Sequence, residues 1–153
     1  HSNGYSLIRK VLEMTGADVA QPCGDMSLGE ALLTPTTIYN QPLMALQKVI
    51  EIKAMAHITG GGILENLPRV LPVGLGAMIH QSSWQFPPVF RWLQESGNID
   101  EQEMLRTFNC GIGMILVISE PAVQDALEAL QDQGITGWEL GYISETATGV
   151  QLC

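Results

Sequence analysis

Two histidines and a run of three glycines are the residues best suited to chemistry. His57 stands where a short apolar segment (Ala54, Met55, Ala56) meets Ile58, Thr59 and Gly60-Gly61-Gly62. A helical pattern, Ile63-Leu64-Glu65-Asn66-Leu67, follows directly. Glycine lets backbone turn with positive φ and lets a ligand approach closely. A helix N-terminus offers unbonded N–H donors and a partial positive charge. Strand, glycines, helix therefore describes an anion cradle, and it describes a tight strand-to-helix turn without a ligand equally well. No Gly-Lys-Ser/Thr follows, so this is not a Walker A loop, and the spacing does not fit the dinucleotide fingerprint. Imidazoles titrate near neutral pH, so His57 suits proton transfer, although a lone histidine at a strand end is more often a hydrogen-bonded core residue. A second glycine-bearing turn, Phe108-Asn109-Cys110-Gly111-Ile112-Gly113, leads into the apolar strand ending at Ile118; alone, a turn or bulge explains it. Cys110 has no neighbouring base to make it a nucleophile.

The elements that must position these residues follow from periodicity and punctuation. Leu7, Ile8, Val11 and Leu12 repeat at helical spacing over 5–14, with Gly16 as the stop and Ser2 or Asn3 as the cap. Residues 17–26 read as a polar loop. A short helix is expected over 28–33, ending before Pro35, and another with Pro42 at its first position and Leu43, Leu46, Val49 and Ile50 on its apolar face. Strands are expected at 54–58, 77–80 and 113–118. Helices are expected at 63–70, from Pro87 or Pro88 to Gly97-Asn98, from an Asp100 cap through Leu105, and over 122–133 with Glu120, Asp125, Glu128 and Asp132 on its solvated side. Trp84, Phe86, Phe90 and Trp92 read as core. Strands at 138–143 and 150–152 close the chain, and the residues between them suggest a hairpin. Alternating strands and helices give an α/β domain, a mixed sheet with helices packed on it.

Length and composition set the outer bounds. With 153 residues, 46% hydrophobic and 15% charged, the chain is globular rather than disordered, and residues 1–153 are expected to form one domain. A net charge of −9 argues against a nucleic-acid surface, yet backbone N–H groups bind small phosphates without basic side chains. Three cysteines, with no CxxC pair, favour neither a disulfide framework nor a thiolate metal site; reduced thiols point to the cytoplasm. No apolar run is long enough to span a membrane. The chain opens on His1 with no initiator Met and is expected to be part of a longer protein.

Taken together, the blocks are more specific than any one of them. His1-Ser2-Asn3-Gly4-Tyr5-Ser6-Leu7-Ile8-Arg9-Lys10, Leu33-Thr34-Pro35-Thr36-Thr37-Ile38-Tyr39, the stretch 56–72 with its TGGG-x-x-EN-x-PR pattern, Trp92-Leu93-Gln94 with Gly97-Asn98-Ile99, and Glu103-Met104-Leu105-Arg106-Thr107-Phe108-Asn109-Cys110-Gly111-Ile112-Gly113-Met114 occur in order. In this the chain closely resembles the C-terminal domain of the aminoimidazole ribonucleotide synthetase family, the phosphoribosylformylglycinamidine cyclo-ligases, across essentially its whole length. HSNG-like and TGGG-like pieces alone would indicate only the wider superfamily.

The resemblance implies an ATP-dependent ligase that turns formylglycinamidine ribonucleotide into aminoimidazole ribonucleotide in purine biosynthesis. It implies ATP and Mg2+ held mainly by an N-terminal domain absent from this chain, a homodimer formed through those N-terminal domains, and no activity from the C-terminal domain alone. By motif position it implies His57 and His1 for proton transfer, and Ser2, Asn3, Thr59, Gly60, Gly61, Gly62, Asn66, Asn109 and Gly111 for substrate and phosphate. No metal ligand is assigned to this chain. The competing expectation is a non-catalytic phosphate-ligand or partner-binding module on the same scaffold.

Overall fold

In the computed structural model, which describes His1 and residues 3–153, helices and short strands alternate along the chain. In order they are α1 (Tyr5–Thr15), β1 (Pro22–Cys23), β2 (Met26–Ser27), α2 (Leu28–Leu33), α3 (Asn40–Leu46), β3 (Ala54–His57), α4 (Gly62–Asn66), β4 (Gly76–Ile79), α5 (Pro88–Gly97), α6 (Glu101–Thr107), β5 (Met114–Val117), α7 (Val123–Asp132), β6 (Gly141–Ser144) and β7 (Val150–Leu152). The expected roles of Ser2, in capping and in the site, lie outside the described residues. The chain divides into two compact units. The first comprises His1–Thr36, Ile58–Glu65 and Gln85–Gly113; the second comprises Thr37–His57, Asn66–Trp84 and Met114–Cys153.

In the first unit α1 buries Ile8 and Val11 and ends at Gly16, whose left-handed conformation aims its N–H at the Leu12 carbonyl, 2.9 Å away. Asn3 does not make the expected cap: Gly4 stands at the cap position, and the Asn3 amide bonds elsewhere. The polar loop expected over 17–26 contains a two-residue-per-strand hairpin, pairing Pro22 with Ser27 and Cys23 with Met26. Strands this short carry no readable period. Ser27 then closes a capping box with Glu30 at the start of α2. Pro88 opens α5, and Asn98 ends it in the left-handed region at φ 45°. Asp100 caps α6, its carboxylate accepting from the Gln102 N–H at 2.9 Å. Leu93, Met104 and Leu105 are buried almost completely. The aromatics expected in the core are only half-buried; Phe90 lies tilted against the buried Phe108 at 5.9 Å between centroids.

The second unit holds the other two sheets. β3 runs antiparallel to β5, from Ala54 opposite Val117 to His57 opposite Met114. Leu46, Ile50 and Ala126 form a buried cluster, covered by Ile52, Leu116, Ile118, Ala122, Ala129 and Leu130 from α3, β5 and α7 and the segments beside them. α3 starts at Asn40, so Pro42 sits at its third position, and Val49, expected on the apolar face, is exposed because the helix ends at Leu46. The helix expected over 63–70 is interrupted: α4 ends at Asn66, and a 3₁₀ turn, Pro68–Val70, replaces its second half, since Pro68 lacks the N–H to continue the ladder. Asp125, Glu128 and Asp132 lie on the exposed side of α7; Glu120 belongs to the 3₁₀ turn before it.

The closing strands do not form the expected hairpin. β4 lies between them, antiparallel to β6 and parallel to β7, giving the mixed sheet in the order β6-β4-β7. The two closing strands are neighbours in sequence and not in hydrogen bonding, because each finds a better partner in β4, which buries Gly76, Ala77 and Ile79.

Candidate functional site

Three sequence-distant blocks meet in the first unit. The first is the turn after β3. Ile58 is fully buried, and its N–H donates to the Gly113 carbonyl at 2.9 Å. The Thr59 carbonyl accepts from the Gly62 N–H at 2.9 Å and closes the turn; Gly61 and Gly62 take φ values of 97° and 54°. Glu65 N–H to Gly61 carbonyl, 3.1 Å, begins the five-residue α4.

The glycines are not equivalent. A Cβ on Gly62 would lie 1.9 Å from the carbonyl oxygen of Leu105 and 2.9 Å from that of Phe108. Backbone packing against the end of α6 therefore requires glycine at 62. A Cβ on Gly60 would meet nothing within 4 Å, and Gly60 is exposed.

The second block begins at His1. Its half-buried ring places Nδ1 2.8 Å from the Ile58 carbonyl oxygen, at the root of the glycine turn. The Asn3 amide donates to the Thr107 carbonyl at 2.7 Å, which ties this block to the last residue of α6. The third block begins two residues later. Asn109 is 8% exposed; its Oδ1 accepts from the Gly111 N–H at 3.1 Å, and its Nδ2 lies 3.3 Å from Nδ1 of His1. His1, Asn3, the 58–62 turn and the 109–111 turn thus form one hydrogen-bonded constellation, with the exposed Gly60 and Gly111 on its solvent side.

Cys110 is at the heart of this constellation without being a nucleophile. Burial, with the charge of Glu101 adding to it, pushes its thiol up to about 12, and Sγ donates to the Met104 carbonyl at 3.4 Å.

Residues 1–152 match the family described as AIR synthase related protein, C-terminal domain. The chain belongs to this family. It is similar to the phosphoribosylformylglycinamidine cyclo-ligase of Nitrosococcus oceani, at 55% identity over 153 residues, 99% of this chain and 43% of the relative. It is 49% identical over 149 residues, 97% of its length and 43% of the relative's, to the cyclo-ligase of Methylobacillus flagellatus. The chain therefore spans less than half the length of these curated relatives. Among solved structures it resembles E. coli HypE, a hydrogenase maturation protein, with a TM-score of 0.65 at 21% identity over 95% of this chain and 41% of that one, a likeness of fold.

In this AIR synthase C-terminal domain two of the expected site residues fall in the second unit. His57 ends β3 exposed, so it does not stand in the core as expected for a strand-end histidine. Its ring stands edge-on to Tyr39, 5.8 Å between centroids at 70°. Burial raises the Tyr39 hydroxyl above the ordinary phenol range, against a hydrogen bond with Thr37 that lowers it. The Asn66 side-chain oxygen accepts from Arg69 at 3.4 Å. Among the described residues no group of three or more His, Cys, Asp or Glu is placed to hold a metal ion, and no helix is long and apolar enough to cross a membrane.

Sequence reasoning missed the carbonyls of Ile58 and Thr107, since a backbone acceptor has no side-chain signature. It also missed Tyr39 as the ring against His57, although the block 33–39 containing it was among those that carry the resemblance.

Proposed function

We propose that residues 1–153 are the C-terminal domain of an ATP-dependent cyclo-ligase that closes the imidazole ring of aminoimidazole ribonucleotide from formylglycinamidine ribonucleotide. The observation that carries this reading is the 55% identity, across the whole chain, to a protein named for that activity. In the reaction ATP phosphorylates the formyl oxygen, a substrate nitrogen attacks the activated carbon, phosphate departs, and the nitrogen gives up its proton. Such chemistry depends on positioning and on stabilising charge.

In this reading His1 and His57 exchange protons with substrate. Asn3, Thr59, Gly60, Gly61, Gly62, Asn109 and Gly111 in the first unit, with Ser2 by motif position, and Asn66 in the second are the residues given to substrate and its phosphate. The Asn3–Thr107 and Asn109–Gly111 bonds favour a rigid binding surface in the first unit. ATP and Mg2+ bind mainly to an N-terminal domain, and the described residues of this chain offer Mg2+ no ligand cluster, so no step is assigned to the metal here. The full-length enzyme is a cytoplasmic homodimer paired through its N-terminal domains, and this domain alone does not turn over.

The test is an assay of the full-length polypeptide with formylglycinamidine ribonucleotide and ATP, following aminoimidazole ribonucleotide. Ring closure, lost on replacing His57 and absent from the isolated domain, is the expected result. A folded full-length protein that binds phosphorylated ribosides without closing the ring would establish the non-catalytic module instead.

A further inference from the structure

β3 sends its side chains alternately to its two faces. Ala56 is buried on one, and His57, like Met55, stands exposed on the other. An exposed side chain has the staggered wells at χ1 and a broad range at χ2 open to it. A group that moves protons works only from the few orientations that meet its partner, so whatever narrows those choices bears on the chemistry.

Tyr39 stands beside His57, edge-on, with 5.8 Å between ring centroids and 70° between planes. This is the arrangement aromatic rings prefer, in which the positive edge of one meets the negative face of the other. Tyr39 is itself well held. Its residue caps the start of α3, and its carbonyl accepts from the Leu43 N–H at 3.0 Å. Its ring is half-buried, and its hydroxyl is hydrogen-bonded with Thr37. The ring is thus anchored at both ends, at the backbone by the first turn of the helix and at the oxygen by Thr37. A fixed ring removes the rotamers that would carry the neighbouring imidazole through it.

We infer that Tyr39 is a positioning residue whose ring sets the orientation of the His57 imidazole. The hydroxyl serves that role by anchoring the ring on Thr37. This gives the block 33–39 a task at the site. The value of the orientation to turnover rests on the cyclo-ligase reading, in which His57 exchanges protons with substrate; the orientation itself does not.

The test uses the full-length polypeptide with Tyr39→Phe, which keeps the ring, and Tyr39→Leu, which keeps an apolar side chain without it. Three-bond couplings from the His57 backbone nitrogen and carbonyl carbon to Cγ read χ1 directly. Wild type and Tyr39→Phe should give the values of one rotamer, and Tyr39→Leu averaged values. An averaged ring in wild type, or the same single rotamer in Tyr39→Leu, overturns the inference whether or not the protein closes rings. Tyr39→Met repeats the measurement if Tyr39→Leu does not fold. In the ring-closure assay Tyr39→Leu should lose about tenfold or more in kcat, at a KM for formylglycinamidine ribonucleotide within about twofold of wild type, while Tyr39→Phe stays within a few fold. Equal losses in the two variants would give the work to the hydroxyl and overturn the role assigned to the ring. Unchanged kcat in a Tyr39→Leu protein with averaged couplings would overturn the link to turnover. If the unsubstituted polypeptide fails to close rings, the cyclo-ligase reading fails and the couplings still decide the orientation.

Discussion

The side-chain amide of Asn3 donates to the carbonyl of Thr107, 2.7 Å away, across a sequence separation of 104 residues. Thr107 is the last residue of α6, where helical carbonyls lack intrahelical donors, so Asn3 satisfies an acceptor that the helix itself leaves open. Asn3→Ala should lower stability by about 1 kcal/mol, the net worth of one such bond. Asn3→Asp should cost more, because it sets a carboxylate oxygen against the carbonyl. Urea denaturation of the three proteins checks both, and equal stability of all three would mean that the bond contributes nothing.

Two glycines of the turn should respond differently to the same change. Gly62→Ala forces a Cβ into the Leu105 carbonyl and strains a backbone at φ 54°, and it should cost upward of about 2 kcal/mol. Gly60→Ala meets open space and should change stability by less than about 0.5 kcal/mol. Melting temperatures of the pair decide the point.

Thiol reactivity should be strongly graded. Cys153 is exposed, whereas Cys23 and Cys110 are buried, with both buried thiols pushed up by desolvation. At pH 8 an aromatic disulfide reagent should modify one thiol of the native chain quickly and all three after denaturation. A second fast thiol in the native state, mapped to Cys110 rather than Cys23, would show that the 109–111 turn opens readily.

Acid should loosen the start of α2 through one carboxylate. The backbone and side chain of Ser27 both donate to Glu30, at 2.8 and 2.7 Å, and hold its pKa below the ordinary value of 4.5. A depressed folded-state pKa gives stability that is fully present above the unfolded value and is lost as pH falls through the folded one. Glu30→Gln, which does not titrate, should therefore show a shallower loss of stability below pH 4.5 than wild type. Denaturation midpoints measured from pH 6 down to pH 3 compare the two, and parallel curves would remove Glu30 from the acid transition.

Local signals were legible and pairings were not. Gly16, Pro88, Asn98 and Asp100 act within a turn of where they stand, and the structure places each where its chemistry predicts. Pro68 ends α4 for an equally local reason, yet the apolar pattern running past it masked the break. The β6–β4–β7 order depends on which strand reaches β4 in three dimensions, and spacing along the chain does not state it. The site shows the same division. The glycine turn and Asn109 stood out by type, but Gly62 owes its identity to a carbonyl at the far end of α6, and the anchor of His1 is a main-chain oxygen.

The place of β4 between β6 and β7 has a consequence for biogenesis. A ribosome makes β4 well before either neighbour, so both of its edges stay open while the intervening α5, α6, β5 and α7 are still being added. An apolar strand with two unsatisfied edges is a template for pairing with another nascent chain. Slow elongation between β4 and β6 should therefore favour aggregation of this protein more than the same delay placed ahead of β4.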